Sequence, residues 1–395
     1  MNKQKPLIYL DNAATTQLHP LALEAMMPYL THSYGNPSGV YSFARSARKA
    51  VEEARSQVAE AISSNSDEIV FTASGTEANN WAIGAVLETQ QGKGGHIITT
   101  LTEHHAITHV CERYAKQGAQ VTYLPVDAEG FVSAEDLKAA IRPDTVLISI
   151  MWANNEIGTI QPIDELSAIA RENGIIFHTD AVQAVGHLAV DLKKFSCVDL
   201  LTLSAHKFSG PKGIGALYIR KGTKLAPFIY GGSQEKNRRA GTENVTGIVG
   251  MGAALQLALS SREDEYIRLC AMRDSLISRI EKDIPRVSLN GPRGQNRLPG
   301  NVNFSFDYIE GESLLLLLDM EGICASSGSA CSSASLEPSH VLMALGVPHE
   351  KAHGSIRFSL GRNSTYEDID KTMAVLPRLV KQLRVMSPLA EDDDL

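Results

Sequence analysis

Lys207 lies in a sequence setting that suits covalent chemistry at an amine. It follows His206, lies three residues after Ser204, and precedes a turn rich in glycine and proline. Two short apolar runs flank it, residues 198–203 and 214–219, and because neither has helical periodicity both predict buried strands. Most single lysines are solvated surface residues. A lysine desolvated at a strand end would instead have a lowered pKa and an exposed lone pair, as a Schiff-base lysine requires.

A second candidate site follows the predicted strand at residues 68–72. The next residues, Ala-Ser-Gly-Thr-Glu-Ala-Asn at 73–79, place Ser74 and Glu77 at capping-box spacing before a helix. A strand that leads through a glycine turn into a helix N-terminus can bind an anion, because unpaired backbone N–H groups and the positive end of the helix dipole converge there. A capped helix without a ligand explains the segment equally well.

Three further polar clusters, at residues 102–106, 154–158 and 178–183, follow predicted strands. In a parallel sheet such positions meet at one edge, where ligands bind. Asp180 ends an apolar strand, a position at which a carboxylate usually caps a turn or helix. It could equally hold a protonated pyridine nitrogen.

Small residues surround Cys331 in the segment 325–335. Side chains of this size cannot pack a core, so the segment predicts a loop mobile enough to carry Cys331. The chain has five cysteines, an odd number without paired spacing, which supports neither a disulfide framework nor a Cys-x-x-Cys metal site. A special cysteine here would therefore act chemically.

Strands and helices must alternate to position these residues. The alternation predicts an α/β sheet that is mostly parallel and covered by helices on both faces. The strand candidates before the Lys207 turn are residues 96–100, 121–124, 145–151 and 174–180.

The pattern changes after a polar, arginine-rich segment at 231–244. Residues 245–284 predict one long helix, followed by a strand at 301–306, a helix at 311–320 and a strand at 355–361. We therefore place a domain boundary near residue 262. The predicted large domain is 16–262, and the predicted small α+β domain combines 1–15 with 263–395.

Composition excludes several classes of function. The 395 residues include 37 basic and 45 acidic side chains, a net charge of −8 without a long basic run, so nucleic acid is not an expected partner. The N-terminus lacks the apolar core of a signal peptide, and no apolar run is long enough to span a bilayer. We expect a cytoplasmic protein that does not bind membranes.

Taken together, the motifs from residues 9–16 to residues 355–361 resemble those of the cysteine desulfurases, within the class V aminotransferase group of fold-type I pyridoxal-phosphate enzymes. The resemblance covers nearly the whole chain. It implies a large domain with a mostly parallel mixed sheet, a smaller α+β C-terminal domain, and pyridoxal 5'-phosphate as cofactor.

The resemblance also assigns roles to single residues. Lys207 would form the Schiff base with the cofactor, His104 would stack on the pyridine ring, Asp180 would pair with the ring nitrogen, and Gln183 would face the phenolate oxygen. Phosphate binding would fall on Gly75, Thr76, Ser204, His206 and, from a second subunit, Thr242.

For the substrate L-cysteine, Asn155, which would also contact the cofactor, and Arg357 would receive the carboxylate. Lys207 would move the α-proton, with His104 as a further catalytic residue. Cys331 would accept the sulfur as a persulfide, and alanine would be released.

The implied partners are a second copy of the chain and a sulfur acceptor such as an iron–sulfur scaffold. No intrinsic metal site is expected, although Cys331 could contact a cluster transiently. We interpret Cys324 as a buried structural cysteine, and His105 as facing a different way from His104, without a metal. The alternatives are a selenocysteine lyase, another class V transaminase, or a catalytically silent binding protein.

Overall fold

The computed structural model describes residues 7–90, 95–327 and 337–390. Within these residues the strands are β1 (Ile8–Tyr9), β2 (Ile69–Thr72), β3 (His96–Thr100), β4 (Gln120–Leu124), β5 (Thr145–Ser149), β6 (Ile176–Asp180), β7 (Leu200–Ser204), β8 (Gly215–Ile219), β9 (Val287–Leu289), β10 (Asn301–Phe306), β11 (Ile323–Cys324) and β12 (Ser355–Ser359).

The α-helices of the same residues are α1 (Pro20–Thr31), α2 (Ser42–Ala61), α3 (Gly75–Thr89), α4 (His105–Ala115), α5 (Ala134–Ala140), α6 (Ile163–Glu172), α7 (Gln234–Asn237), α8 (Val245–Ser260), α9 (Arg262–Asp283), α10 (Gly311–Met320), α11 (His340–Ala344), α12 (His349–His353) and α13 (Tyr366–Val385).

The main sheet of the described residues has seven strands in the order β2-β8-β7-β6-β5-β3-β4. Strand β8 runs antiparallel to both of its neighbours, and the other pairs are parallel. Every residue of β3, β5, β7 and β8 is buried, as expected for a sheet covered by helices on both faces. The predicted mostly parallel α/β sheet is therefore confirmed.

A second, smaller sheet lies in the C-terminal part of the chain. Strands β12, β10 and β9 are antiparallel in that order, and β1 pairs with β11 in parallel. Ile8 and Leu10 share a hydrophobic cluster with residues of α9, α10, α13 and this sheet, separate from the clusters around the main sheet. This packing supports grouping residues 1–15 with the small domain, although the domain boundaries stay a prediction.

Two local expectations were wrong. The predicted helix at 245–284 is two helices, α8 and α9, which meet at Ser261. Serine is a weak helix former, and three acidic residues follow it in the first turn of α9, where they favour the start of a new helix. Cys324 follows α10 and a turn, but it lies on β11 and is only half-buried rather than buried.

Strand β10 is buried along its whole length, although polar and apolar residues alternate in it. Asn290 satisfies two of these residues, because its Nδ2 donates to Asn303 Oδ1 at 2.8 Å and to Ser305 Oγ at 3.0 Å. Among the described residues, no helix is long and apolar enough to span a membrane.

Gly215 on β8 allows the main sheet and the start of α3 to approach closely. A Cβ at this position would lie 2.7 Å from the carbonyl carbon of Ser74, 2.8 Å from Leu203 O and 2.9 Å from Gly75 N. All three are backbone atoms, so no side-chain rotation can relieve the contact.

We expect Gly215→Ala to lower the free energy of unfolding by about 1–3 kcal/mol, because an added methyl overpacks this contact. Thermal unfolding would measure the loss. Gly95→Ala is the control, since a Cβ there meets only Ala119 Cα at 3.8 Å. Equal melting temperatures for the two variants would contradict the prediction.

Candidate active site

A cavity of ≈ 530 Å³ lies where the carboxyl ends of β2, β6 and β7 meet the small sheet. The predicted site residues that line it are Gly75, Thr76, His104, Asn155, Asp180, Gln183, Ser204, His206, Lys207 and Arg357. Positions distant in the sequence thus converge because the parallel strands end at the same edge of the sheet.

Two predicted residues are not part of this cavity as described. Thr242 is exposed and does not line the cavity within this chain. Cys331 lies outside the described residues.

Lys207 belongs to a single 3₁₀ turn that directly follows β7. Its Nζ donates hydrogen bonds to Ala13 O and Ala14 O, each at 2.7 Å. Its own carbonyl oxygen is 2.9 Å from Nε2 of the half-buried His187. Lys207 is therefore held at the cavity wall both through its amine and through its backbone carbonyl.

The segment that receives this amine, residues 11–16, contacts both sheets. Thr16 donates from N and Oγ1 to His206 O, at 2.9 and 2.8 Å, which attaches the segment to the lysine turn. Ala13 N donates to Ser359 Oγ at 2.9 Å on β12. The sequence analysis recognised the motif but not this role.

The start of α3 has the capped helix N-terminus on which the prediction of an anion site rests. Ser74 Oγ accepts a hydrogen bond from Glu77 N at 3.1 Å, and Glu77 Oε2 accepts one from Ala73 N at 2.9 Å. In a capping box the second bond would come from Ser74 N, so here the Glu77 carboxylate binds the residue before the N-cap. A Cβ at Gly75 would lie 2.9 Å from Val182 Cγ2. A glycine here leaves room for close packing beside backbone N–H groups that lack intrahelical acceptors.

Asp180 is buried and fixed by two donors. Asn79 Nδ2 donates to Oδ2 at 2.6 Å, and Val182 N donates to Oδ1 at 3.0 Å. Asn79 Oδ1 has no hydrogen-bond partner in the part of the chain that the structure describes. The sequence analysis missed Asn79, although it lies four residues after Gly75 and hence on the same face of α3.

His104 caps α4, and its Nδ1 accepts from Ala106 N at 3.1 Å. Burial lowers the pKa of His104, Lys207 lowers it further, and Asp180 acts in the opposite direction. The ring is thus neutral near pH 7. Because Nδ1 accepts a hydrogen bond, the ring proton of the neutral form lies on Nε2.

His105 also lines the cavity, contrary to the expectation that it faces a different way from His104. The two residues occupy the cap and first position of α4, and both positions border the cavity. His105 stacks with His109 and lies against His340, with centroids 4.7 Å apart in each pair. Among the described residues, no group of three or more His, Cys, Asp or Glu side chains is placed to hold a metal.

Arg357 is buried and already paired. Its Nη2 donates to Asp11 Oδ1 at 2.8 Å, and its Nη1 donates to Asn155 O at 3.1 Å. Its Nε is buried without a partner in the described chain. The guanidinium therefore retains an N–H that a further anion could use. Asp11 was missed because its partner is 346 positions away in the sequence.

Glu103, beside His104, is a buried carboxyl that the sequence analysis also missed. Burial raises its pKa to about 8, and nearby Asp180 adds to the increase. Its Oε1 accepts from Met151 N at 2.7 Å. Glu103 is therefore mainly neutral near pH 7, which leaves Asp180 as the negative charge beside it.

The arrangement fits pyridoxal phosphate. It combines an amine for a Schiff base, an anchored carboxylate, and a helix start close to a glycine that leaves room for a phosphate. The buried, unpartnered oxygen of Asn79 marks unused hydrogen-bonding capacity beside that carboxylate. Fold and cavity together define a pyridoxal-phosphate enzyme.

Comparisons with known proteins agree with the assignment to pyridoxal-phosphate enzymes. The family model for class-V aminotransferases matches residues 8–372. A protein of Dictyoglomus turgidum named cysteine desulfurase IscS is 58% identical over 385 residues, which cover 98% of this chain and 97% of the relative.

Solved structures give the same result. One described as a NifS-like protein has a TM-score of 0.90 at 36% identity and covers 95% of this chain and 100% of its own. One described as SspA in complex with cysteine has a TM-score of 0.79 at 36% identity, with coverages of 89% and 98%.

The chain belongs to the class-V aminotransferase family of pyridoxal-phosphate enzymes and, within it, to the cysteine desulfurases. The expected fold class, enzyme class and cofactor are thereby confirmed.

We expect Asn79→Ala to weaken cofactor retention about tenfold or more, because a hydrogen bond to a charged group contributes about 1.5–3 kcal/mol and Asp180 would lose its shortest one. Cofactor release on dialysis, followed by visible absorbance, measures this effect without an assay of turnover. Asn80→Ala is the matched control, since the Asn80 side chain donates to Thr76 O within α3 and, among the described residues, has no hydrogen bond to Asp180. Equal retention in both variants would show that Asn79 does not support Asp180.

Proposed function

We propose that the chain converts L-cysteine to L-alanine and leaves the sulfur on Cys331 as a persulfide. The observation that carries this proposal is the convergence of the Lys207 amine, the Asp180–Asn79 pair and the buried Arg357 guanidinium on one cavity. Bound pyridoxal phosphate supplies an electron sink for the reacting carbon.

Each cofactor contact is assigned to a group already held in place. Lys207 would bind the cofactor covalently, His104 would stack on the ring, and Asp180 would keep the ring nitrogen protonated. Gln183, whose Nε2 donates to Ala13 O at 2.9 Å, would face the phenolate oxygen. The phosphate would lie against the start of α3 and receive further contacts from Gly75, Thr76, Ser204 and His206.

Arg357 and Asn155 would orient the substrate through its carboxylate. The Arg357 guanidinium keeps its position because Asp11 binds it from the other side. Once released from the cofactor, the Lys207 amine would take the α-proton. The carbonyls of Ala13 and Ala14 accept hydrogen bonds from this amine and so hold it at the cavity wall.

The sulfur step balances without an external oxidant. The Cys331 thiolate attacks the substrate sulfur, an S–S bond forms, and the C–S bond breaks. The electron pair of the C–S bond goes to the substrate carbon, which takes a proton to become the methyl group of alanine. His104 is neutral near pH 7 and bears a proton on Nε2, so it can exchange protons during this step.

A dimer would complete the phosphate site with Thr242 from the second copy. Thr242 is exposed in this chain, as contact with a second copy requires, and Arg239 in the same segment pairs with Glu77 on α3 at 2.9 Å. For the sulfur acceptor we propose an iron–sulfur scaffold, in keeping with the names of the relatives.

We expect Cys331→Ala to abolish alanine formation from cysteine while the visible absorbance of the cofactor persists, because the sulfur then has no acceptor on the enzyme. Cys324→Ala is the control, since Cys324 lies on β11 and does not line the cavity. Unchanged turnover in Cys331→Ala would refute the assignment of the acceptor.

Lys207→Ala should lose the visible absorbance of the lysine-bound cofactor and, with it, more than about 99% of the turnover, since both the covalent link and the base are removed. Absorbance spectra of the purified protein test this directly. Lys212→Ala changes another lysine at the same cavity and should keep the absorbance. A persistent band in Lys207→Ala would require a different anchoring lysine.

A further inference from the structure

The described chain on both sides of Cys331 is attached to residues of the active site. On the N-terminal side, Ser326 N donates to Arg357 O at 3.1 Å, and Arg357 N donates to Ser326 O at 2.6 Å. On the C-terminal side, Ser339 caps α11, whose first residue, His340, lines the cavity. The placement of both ends is therefore coupled to the substrate site.

Ser339 makes a buried hydrogen bond that neither the capping of α11 nor the proposed chemistry requires. Its Oγ donates to Glu156 Oε2 at 2.5 Å and also accepts from Leu342 N, which caps the helix. Both side chains are buried. Glu156 directly follows Asn155, so the residue that fixes α11 is the neighbour of a predicted substrate ligand.

Two further contacts hold α11 in the same place. His340 Nε2 lies 2.9 Å from Glu103 O, and its ring packs on His105. Val341 and Leu342 share a buried apolar cluster with Ile157. The helix is thus seated on the loop formed by residues 154–158.

The Glu156 backbone is held independently of its side chain. Its N donates to Asn154 Oδ1 at 2.8 Å, and its carbonyl oxygen accepts from Asn301 and Asn303, each at 3.0 Å. Removing the carboxyl should therefore leave the loop in position and release only Ser339.

Burial raises the pKa of Glu156 to about 7, while Ser339 and Arg357 act in the opposite direction. The carboxyl is neither the substrate's ligand nor a cofactor ligand in the proposed function. In either protonation state the Glu156 carboxyl can accept a hydrogen bond from the Ser339 hydroxyl.

We propose that Glu156 is a positioning residue for sulfur transfer: through Ser339 it fixes the start of α11, the first described helix after the segment that contains Cys331. This inference rests on the proposed role of Cys331 as the acceptor. Cys331 is five residues from Ser326 and eight from Ser339, so full extension allows at most about 18 Å and about 29 Å to these two residues. Both attachment points therefore limit where the thiol can react.

The test separates substrate binding from sulfur transfer. In Glu156→Ala, the rate of alanine formation should fall about tenfold, because a buried hydroxyl loses its acceptor and α11 its anchor. The Kd of cysteine, measured from the change in cofactor absorbance, should stay within about twofold, since the backbone of the loop is held elsewhere. Glu156→Gln keeps an acceptor oxygen and should restore the rate to within about threefold of the unaltered enzyme.

Substitutions of Ser339, the hydrogen-bond partner of Glu156, give a second, matched series of variants. Ser339→Ala should reproduce the loss of rate and Ser339→Thr should largely rescue it. The double variant Glu156→Ala/Ser339→Ala should be no slower than either single variant, because both remove the same bond. If the losses of rate added in the double variant, Glu156 and Ser339 would not act through one shared hydrogen bond.

The proposal is overturned if Glu156→Ala forms alanine at the normal rate, or if cysteine binding weakens as much as turnover. The first result would deny Glu156 any effect on transfer, and the second would place it in the substrate site. Failure of the proposed function is distinguishable, because it would show as persistent turnover in Cys331→Ala.

Discussion

The hydrogen bonds from Lys207 to the carbonyls of Ala13 and Ala14 constrain the whole site. These carbonyls belong to residues 11–16, which bind the lysine turn of the main sheet through Thr16 and the small sheet through Ser359. The amine is thereby located at the junction of the two sheets. Any shift between the sheets would change the surroundings of the amine proposed to bind the cofactor.

Burial then decides which acids at this junction carry charge. Asp180 and Asp11 have strong donors, from Asn79 and Arg357 respectively, whereas burial raises the pKa values of Glu103 and Glu156 to about 8 and about 7. A neutral Glu103 beside an anchored Asp180 avoids two adjacent negative charges in a low-dielectric cavity. Burial of Glu103 thus lowers the negative charge beside the carboxylate proposed to face the cofactor's ring nitrogen.

Sequence reasoning found the residues whose local context is distinctive. Lys207, Asp180 and Gly75 lie at strand ends or helix starts, where the period of the apolar pattern changes, and the structure brings them together. Asp11 and Asn79 were not found, since each acts through a partner at least 100 positions away and neither breaks a local pattern. The division between α8 and α9 was missed for another reason: a single serine ended an otherwise helical stretch.

The same supports serve recognition of the substrate and delivery of sulfur. Arg357 offers its guanidinium to a carboxylate while its backbone pairs with Ser326, and the loop of Asn155 presents Glu156 to Ser339. A displacement of this loop would therefore move the carboxylate ligands and the attachment of α11 together. Because Arg357 and Glu156 hold Ser326 and Ser339 on the two sides of Cys331, a substrate bound to Arg357 would lie on the same scaffold as both of these residues.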